Sequence, residues 1–234
     1  MSLLLLVRHG QAALGAYVGT HEGGAADPGS LTELGRRQAE LSGAALVERG
    51  MWPDRVIAGM PRRQRETGEL LRAAWGQDAP VAESDARWDE YDGSALLAAY
   101  PPEQAGAEDA EQSKARFFQQ VLDESLSQWM ADPTPRGSLP AWSDFVAGPR
   151  GAVADLAIDL GRGGTAVVAT SAGVISCVVA DLLGLTPDAL LGIHRIVVNA
   201  SITSVILGSR GRHLLTFNEH GHLQQAGLDV VTYR

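Results

Sequence analysis

Short apolar runs, each closed by a polar turn and followed by a helical pattern, constrain this chain more than any other feature. Leu3 to Val7 is apolar without interruption, as a strand is when both its faces are buried. Val56 to Ala58, inside "DRVIAG", is a shorter apolar run, and Thr165 to Thr170, "TAVVAT", is a later one. Helical spacing follows each of them. The first helix is expected to open with a capping box from Ser30 to Glu33 and to stop at Gly50. The second opens at Pro61 and closes at Gly76. The third follows the turn Ser171-Ala172-Gly173. Strands alternating with helices imply an α/β fold: a mostly parallel sheet covered on both faces, hence a three-layer α/β/α sandwich.

The remaining segments fit that frame. "APVAESDARWDEYDG" reads as a strand running into a loop, and "ASITSVILG" and "RHLLTFN" as two late strands around the turn "SRGR". Residues 94–161 have a different texture, rich in Ala, Glu and Gln, helical in period and broken by "DPTPRGSLP". This stretch is expected to be a helical insertion within a single domain spanning 1–234. Phe117, Phe118, Trp129, Trp142 and Phe145 would give it a small core, and a lid or substrate-shaping cap is its expected role.

Bulk properties exclude several functions. A formal net charge of −9 argues against nucleic acid, which rewards clustered Lys and Arg, yet leaves room for a basic pocket that takes a small anion. The single cysteine, Cys177, sits in an apolar helical stretch and reads as a buried structural thiol; one cysteine makes neither a disulfide framework nor a zinc cluster. The apolar run in "MSLLLLVRHG" is too short for a signal peptide and lacks a basic start, and no segment reaches membrane-spanning length. A cytoplasmic protein with no membrane partner is expected. There is no P-loop motif, "GRGGT" precedes a strand where a dinucleotide loop would follow one, and no cofactor is expected. His220-Gly221-His222 lacks a placed carboxylate partner and reads as a surface turn, so no metal site is expected.

Chemistry gathers at strand ends. Arg8-His9-Gly10 closes the first strand, where open parallel sheets bind ligands. An imidazole is a competent nucleophile toward phosphorus, a guanidinium forks onto phosphate oxygens, and Gly10 leaves the approach clear. Arg62, Arg63 and Arg65 crowd the first turn of the second helix, where cations oppose the macrodipole unless an anion sits there. One of the three is expected to face that anion and the others solvent. In "RWDEYDG", Asp89, Glu90 and Asp92 lie beside Trp88 and Tyr91, and a carboxyl pressed against aromatics suits a general acid. The residues by themselves favour Glu90 only weakly.

Together, strand–R-H-G, "LTELGRRQA", R-x-x-x-T, the Glu-bearing loop and "NASITSVILGSRGRHLLTFNEHGHL" resemble the histidine phosphatase superfamily, the phosphoglycerate mutase-like fold. The resemblance covers nearly the whole chain apart from the helical insertion. It implies that His9 is the nucleophile, transiently phosphorylated. Arg8 and Arg63 would be phosphate clamps, and Glu90 the proton donor to the leaving oxygen. It also implies a second phosphate-binding histidine at the late strand-to-helix turn, where this chain carries Ser171.

Three readings of Ser171 follow. It could be an esterase nucleophile in an A-x-S-x-G elbow, served by His194, His213, His220 or His222 with Asp181 or Asp188. It could bind phosphate through its hydroxyl, giving a metal-independent phosphatase of reduced activity. Or the pocket could hold a phosphorylated ligand without turning it over. A phosphatase acting on a small phosphorylated metabolite is the expected function. A mutase is disfavoured because Gln11-Ala12-Ala13 lacks the polar groups that mutases of the family usually carry after R-H-G. Substrate choice is expected to rest on the Ala12–Ser30 loop and the insertion, and a homodimer is compatible with the chain.

Overall fold

The computed structural model describes residues 1–13, 29–101 and 111–233, and for 111–119 the backbone alone. Most of the Ala12–Ser30 loop and the side chains of Phe117 and Phe118 therefore lie outside the described residues. Among the described residues the sheet has six strands in the order β3-β2-β4-β1-β5-β6. These are β1 (Ser2–Arg8), β2 (Arg55–Ala58), β3 (Ala82–Ser84), β4 (Thr165–Thr170), β5 (Ile202–Gly208) and β6 (Gly211–Glu219). The ladders β1–β4, β2–β4 and β2–β3 are parallel, whereas β5 pairs antiparallel with β1 and with β6. The mostly parallel α/β sandwich is the observed architecture.

Alternation along β1 divides the core into two layers. Leu4 and Leu6 face one side, with Ala152, Val153 and Leu156 of α5 (Trp142–Asp159) and Val174, Ile175 and Val178 of α6 (Ala172–Leu183). Leu5 and Val7 face the other, with Leu46 of α1 (Glu33–Glu48) and Leu71 of α2 (Arg62–Ala73). Full burial of Leu4 to Val7, on both faces of the sheet, is what makes the run apolar without interruption.

Between β3 and β4 come α3 (Gly93–Ala99), α4 (Glu111–Ala131) and α5, and the break in "DPTPRGSLP" separates the last two. Trp129 is fully buried, its indole N–H donates to the Pro140 carbonyl at 2.8 Å, and Trp142 meets it edge-on at 4.9 Å. Phe145 and Tyr91 complete this aromatic cluster. After β4 the chain continues through α6, α7 (Pro187–Ile196), the β5–β6 hairpin and α8 (Gly221–Ala226). No helix among the described residues is long and apolar enough to cross a membrane.

One boundary differs from the capping-box expectation. The cap of α1 is Thr32, whose hydroxyl oxygen accepts from the Gly35 amide at 3.0 Å. Leu31 is held extended by a bridge to Ala12, so the helix cannot begin at Ser30. Gly10 also has a different reason to be glycine. A Cβ there would sit 2.1 Å from the Gly35 carbonyl oxygen, so it is the packing of the turn onto α1 that excludes a side chain.

Candidate active site

Parallel register sets the site. Arg8 pairs with Thr170 and Ala58 with Ala169, so the carboxyl ends of β1, β4 and β2 lie side by side. The next residues, His9, Ser171 and the turn into α2, therefore emerge at one edge of the sheet, as expected for ligand sites in open parallel sheets.

His9 is buried, and its backbone is tied down from two directions. Its amide donates to the Thr170 carbonyl at 2.8 Å, and its carbonyl accepts from the Asn199 side chain at 3.1 Å. Two ring contacts define the imidazole. Nδ1 lies 2.7 Å from the Gly10 carbonyl oxygen, which can only accept, so Nδ1 carries the proton. Arg63 Nε, which can only donate, donates to Nε2 at 3.3 Å, so Nε2 carries the lone pair. Both contacts select one tautomer. Burial, then the charges of Arg63 and Arg8, hold the His9 pKa well below its ordinary value, so the ring is neutral near pH 7.

Of the three arginines opening α2, Arg62 and Arg65 are exposed, and Arg62 pairs with Glu66. Arg63 alone is buried and reaches His9. The spacing to Thr67 has a structural reason. Thr67 Oγ1 donates to the Arg63 carbonyl at 2.8 Å and accepts from the Gly10 amide at 3.2 Å. Arg8 is buried too, and its guanidinium donates to the carbonyls of Val197 and Tyr233. It lies close enough to bias His9 and Glu90 electrostatically.

The loop carboxylates separate by environment. Asp92 caps α3 by accepting from the amides of Ser94 and Ala95, and the Ser94 hydroxyl foremost holds its pKa down. Asp89 braces the turn after β2 by accepting from the Met60 amide at 2.5 Å. Glu90 turns to the start of α6, where its Oε2 accepts from the Gly173 amide at 2.9 Å. Burial raises its pKa above the usual carboxylate range, against the Gly173 N–H and the charge of Arg63. Gly173 must lack a side chain, since a Cβ would fall 2.2 Å from Glu90 Oε1.

Ser171 is fully buried at the N-cap of α6, yet its side chain makes no capping bond. Its Oγ accepts from Gln64 Nε2 at 2.6 Å. None of the histidines of the esterase reading hydrogen-bonds the Ser171 hydroxyl among the described residues. His220 Nδ1 donates to the Asn218 carbonyl, and His222 sits between Ser42 Oγ and the Ala200 carbonyl. His213 is on the edge strand β6, and His194 stacks obliquely near Tyr91. Cys177, one turn into α6, is buried, and that burial pushes its thiol pKa up.

His9, Arg63, Glu90 and Ser171 thus converge, with Arg8 behind them. Gln64, Thr67 and Asn199 belong to the same network but carry no signal in isolation; Thr67 is reachable through the R-x-x-x-T spacing. Among the described residues no group of three or more His, Cys, Asp or Glu side chains is arranged to hold a metal ion.

Solved structures share the fold. A mycobacterial glucosyl-3-phosphoglycerate phosphatase in complex with VO3 superposes with a TM-score of 0.61 at 24% identity, covering 93% of this chain and 99% of that one. YhfR of Bacillus stearothermophilus gives 0.64 at 20% identity, covering 95% and 99%. Over 68 residues the chain is 38% identical to the mitochondrial serine/threonine-protein phosphatase Pgam5 of Drosophila melanogaster. That stretch is 29% of this chain, and it spans about a fifth (21%) of the length of the curated relative it matches. The family model of the histidine phosphatase superfamily (branch 1) matches residues 4–220, a span that takes in Arg8, His9, Arg63, Glu90 and Ser171. This chain belongs to that superfamily.

Proposed function

We propose that the chain is a phosphomonoester hydrolase working through a phosphohistidine at His9 Nε2. The observation that carries this is the fixed tautomer, with Nδ1–H on the Gly10 carbonyl and the Nε2 lone pair facing Arg63. A neutral imidazole held in that state needs no deprotonation before it attacks phosphorus.

In the first step Nε2 forms a bond to phosphorus as the ester P–O bond breaks, and Glu90 gives its proton to the departing alkoxide. In the second, water attacks phosphorus, Glu90 takes the water proton, and the P–Nε2 bond breaks. The imidazole is regenerated and inorganic phosphate leaves. Arg63 must release Nε2 as the phosphoryl group arrives, and its guanidinium then turns to the phosphoryl oxygens. With Arg8 it offsets the charge of about −1.5 to −2 that a monoester carries at neutral pH. In this reading the guanidinium groups supply the positive charge, and a chelator leaves turnover unchanged.

Ser171 takes the position of the family's second histidine and offers a neutral donor in place of a cation. Loss of one good transition-state donor costs about 10²–10³ in rate, so turnover below that of a histidine-bearing relative follows. Hydrolysis is favoured over mutase chemistry because the Gln11 amide accepts from Thr32 Oγ1 at 2.9 Å and serves the helix cap. The substrate class is a monoester of a small metabolite. The test is release of phosphate from a chromogenic aryl phosphate in the presence of a chelator, with His9→Ala as the control. Activity that persists in His9→Ala refutes the covalent route. Phosphate-dependent thermal stabilisation without turnover in the wild type would make the chain a binder of phosphorylated ligands.

A further inference from the structure

Gln64 is the fully buried polar residue next to Arg63, in the first turn of α2. Its Nε2 donates to Ser171 Oγ at 2.6 Å, the one hydrogen-bond partner of that hydroxyl among the described residues. Its Oε1 is buried and accepts no hydrogen bond there. Space has been left for this amide: a Cβ on Gly59 would sit 1.8 Å from Gln64 Oε1. The residue is thus deliberately accommodated, at the cost of an orphaned acceptor, and stability alone gives no reason for that. A buried polar group without its partner is destabilising, and an apolar side chain of the same size would avoid that cost.

The bond has a direction. A hydroxyl that accepts from an amide keeps its own proton to donate. Ser171 lends no lone pair to α6, because its side chain accepts no capping bond from a helix amide, and its proton meets no acceptor among the described residues. Each member of the pair directly follows a residue that holds His9: Ser171 follows Thr170, whose carbonyl accepts from the His9 amide, and Gln64 follows Arg63, whose Nε donates to His9 Nε2. Both are thus tied to the framework that carries the nucleophilic nitrogen.

We propose that Gln64 is a positioning residue for the phosphoryl site. It fixes the Ser171 hydroxyl as a donor aimed at a phosphoryl oxygen, and the Gln64–Ser171 pair fills the volume that a single larger side chain at 171 would need. This rests on the phosphatase reading above and deepens it. Two consequences follow. Gln64→Glu keeps the shape but reverses the bond, because a carboxylate takes the Ser171 proton and leaves an oxygen lone pair facing the phosphate. Ser171→His meets a filled space, so the imidazole fits only when Gln64 is also cut back.

The experiment uses the full chain, turnover of an aryl phosphate, and the affinity for inorganic phosphate from thermal shift. Gln64→Leu, which keeps bulk and removes the donor, is expected to lower kcat about tenfold. Gln64→Glu is expected to lower it about 100-fold and to weaken phosphate binding. In a Ser171→Ala background Gln64→Leu is expected to have no further effect. Ser171→His with Gln64→Ala is expected to exceed Ser171→His alone by tenfold or more. Equal losses from Gln64→Leu in both backgrounds, or Gln64→Glu at wild-type kcat and phosphate affinity, overturn the proposal while the phosphatase reading stands. If the wild type releases no phosphate, the phosphatase reading fails, and the same variants are judged by phosphate affinity: coupling between 64 and 171 supports the pair, additivity refutes it. If phosphate does not bind either, both proposals fall.

Discussion

Arg63 and Thr67 lie one turn apart on α2 and hold successive residues of the β1 turn, Arg63 through His9 Nε2 and Thr67 through the Gly10 amide. One helix face therefore fixes both the imidazole and the peptide whose carbonyl sets its tautomer. The R-x-x-x-T spacing is a consequence of helix geometry, since residues four apart share a face.

Thr67→Val tests that clamp. It keeps the shape and removes the hydroxyl, which leaves the buried Gly10 amide without its acceptor, at a cost of about 1–3 kcal/mol. Urea unfolding should show that loss. If the clamp also positions His9, kcat should fall about tenfold under conditions where the variant is fully folded.

The pH profile follows from two opposed shifts. His9 must be neutral to attack, and its pKa is lowered, so the acid limb of kcat/KM lies well below pH 6.5. Glu90 must hold a proton to serve as the acid, and its pKa is raised, so the alkaline limb lies above pH 4.5. The profile is expected to be bell-shaped, with its maximum between those two limbs. Glu90→Gln should remove the alkaline limb and slow an alkyl phosphate more than a nitrophenyl phosphate, whose leaving group needs no proton. A Glu90→Gln profile that keeps the alkaline limb assigns it to another group.

Stability should carry the same signature. With its folded pKa below the unfolded value, neutral His9 opposes protonation, so acidification through pH 6.5 and below favours the unfolded state, which binds the proton. Glu90 acts in reverse: its raised folded pKa costs stability as pH rises through 4.5 toward that higher value. Thermal melts of His9→Phe should lose part of the acid sensitivity seen in the wild type.

Gly173→Ala is expected to act through Glu90. A Cβ 2.2 Å from Oε1 forces the carboxyl away from the start of α6 and breaks its bond to the Gly173 amide. A fall in kcat of tenfold or more is expected, with thermal stability changed by only a few degrees. Unchanged kcat would mean that Glu90 is not held where the acid is needed.

How much of this was legible depended on how far burial and local pattern coincide. The apolar runs of β1 and β4 announced themselves because strands buried on both faces need no alternation. The inward face of α2 did not. Its buried positions are Arg63, Gln64, Thr67, Gly68 and Leu71, so the core-facing stripe begins with polar residues and reads as a solvated basic face. Singling out Arg63 and Glu90 rested on the family resemblance, because a loop has no period to mark which of its carboxylates turns inward. Ser30 and Thr32 both satisfy a local capping rule. The choice of Thr32 comes from the Ala12–Leu31 bridge, which pairs segments far apart in the chain. Gln64 was invisible for the same kind of reason, since its partner is 107 positions away.

A transient bond between phosphorus and His9 Nε2 is what every step above depends on. Rapid acid-free quenching of turnover, followed by peptide mass spectrometry, detects it. A phosphoryl group is expected on the peptide containing His9, labile to acid, stable to alkali and absent from His9→Ala. An acid-stable phosphoryl group on Ser171, or full turnover by His9→Ala, would contradict it.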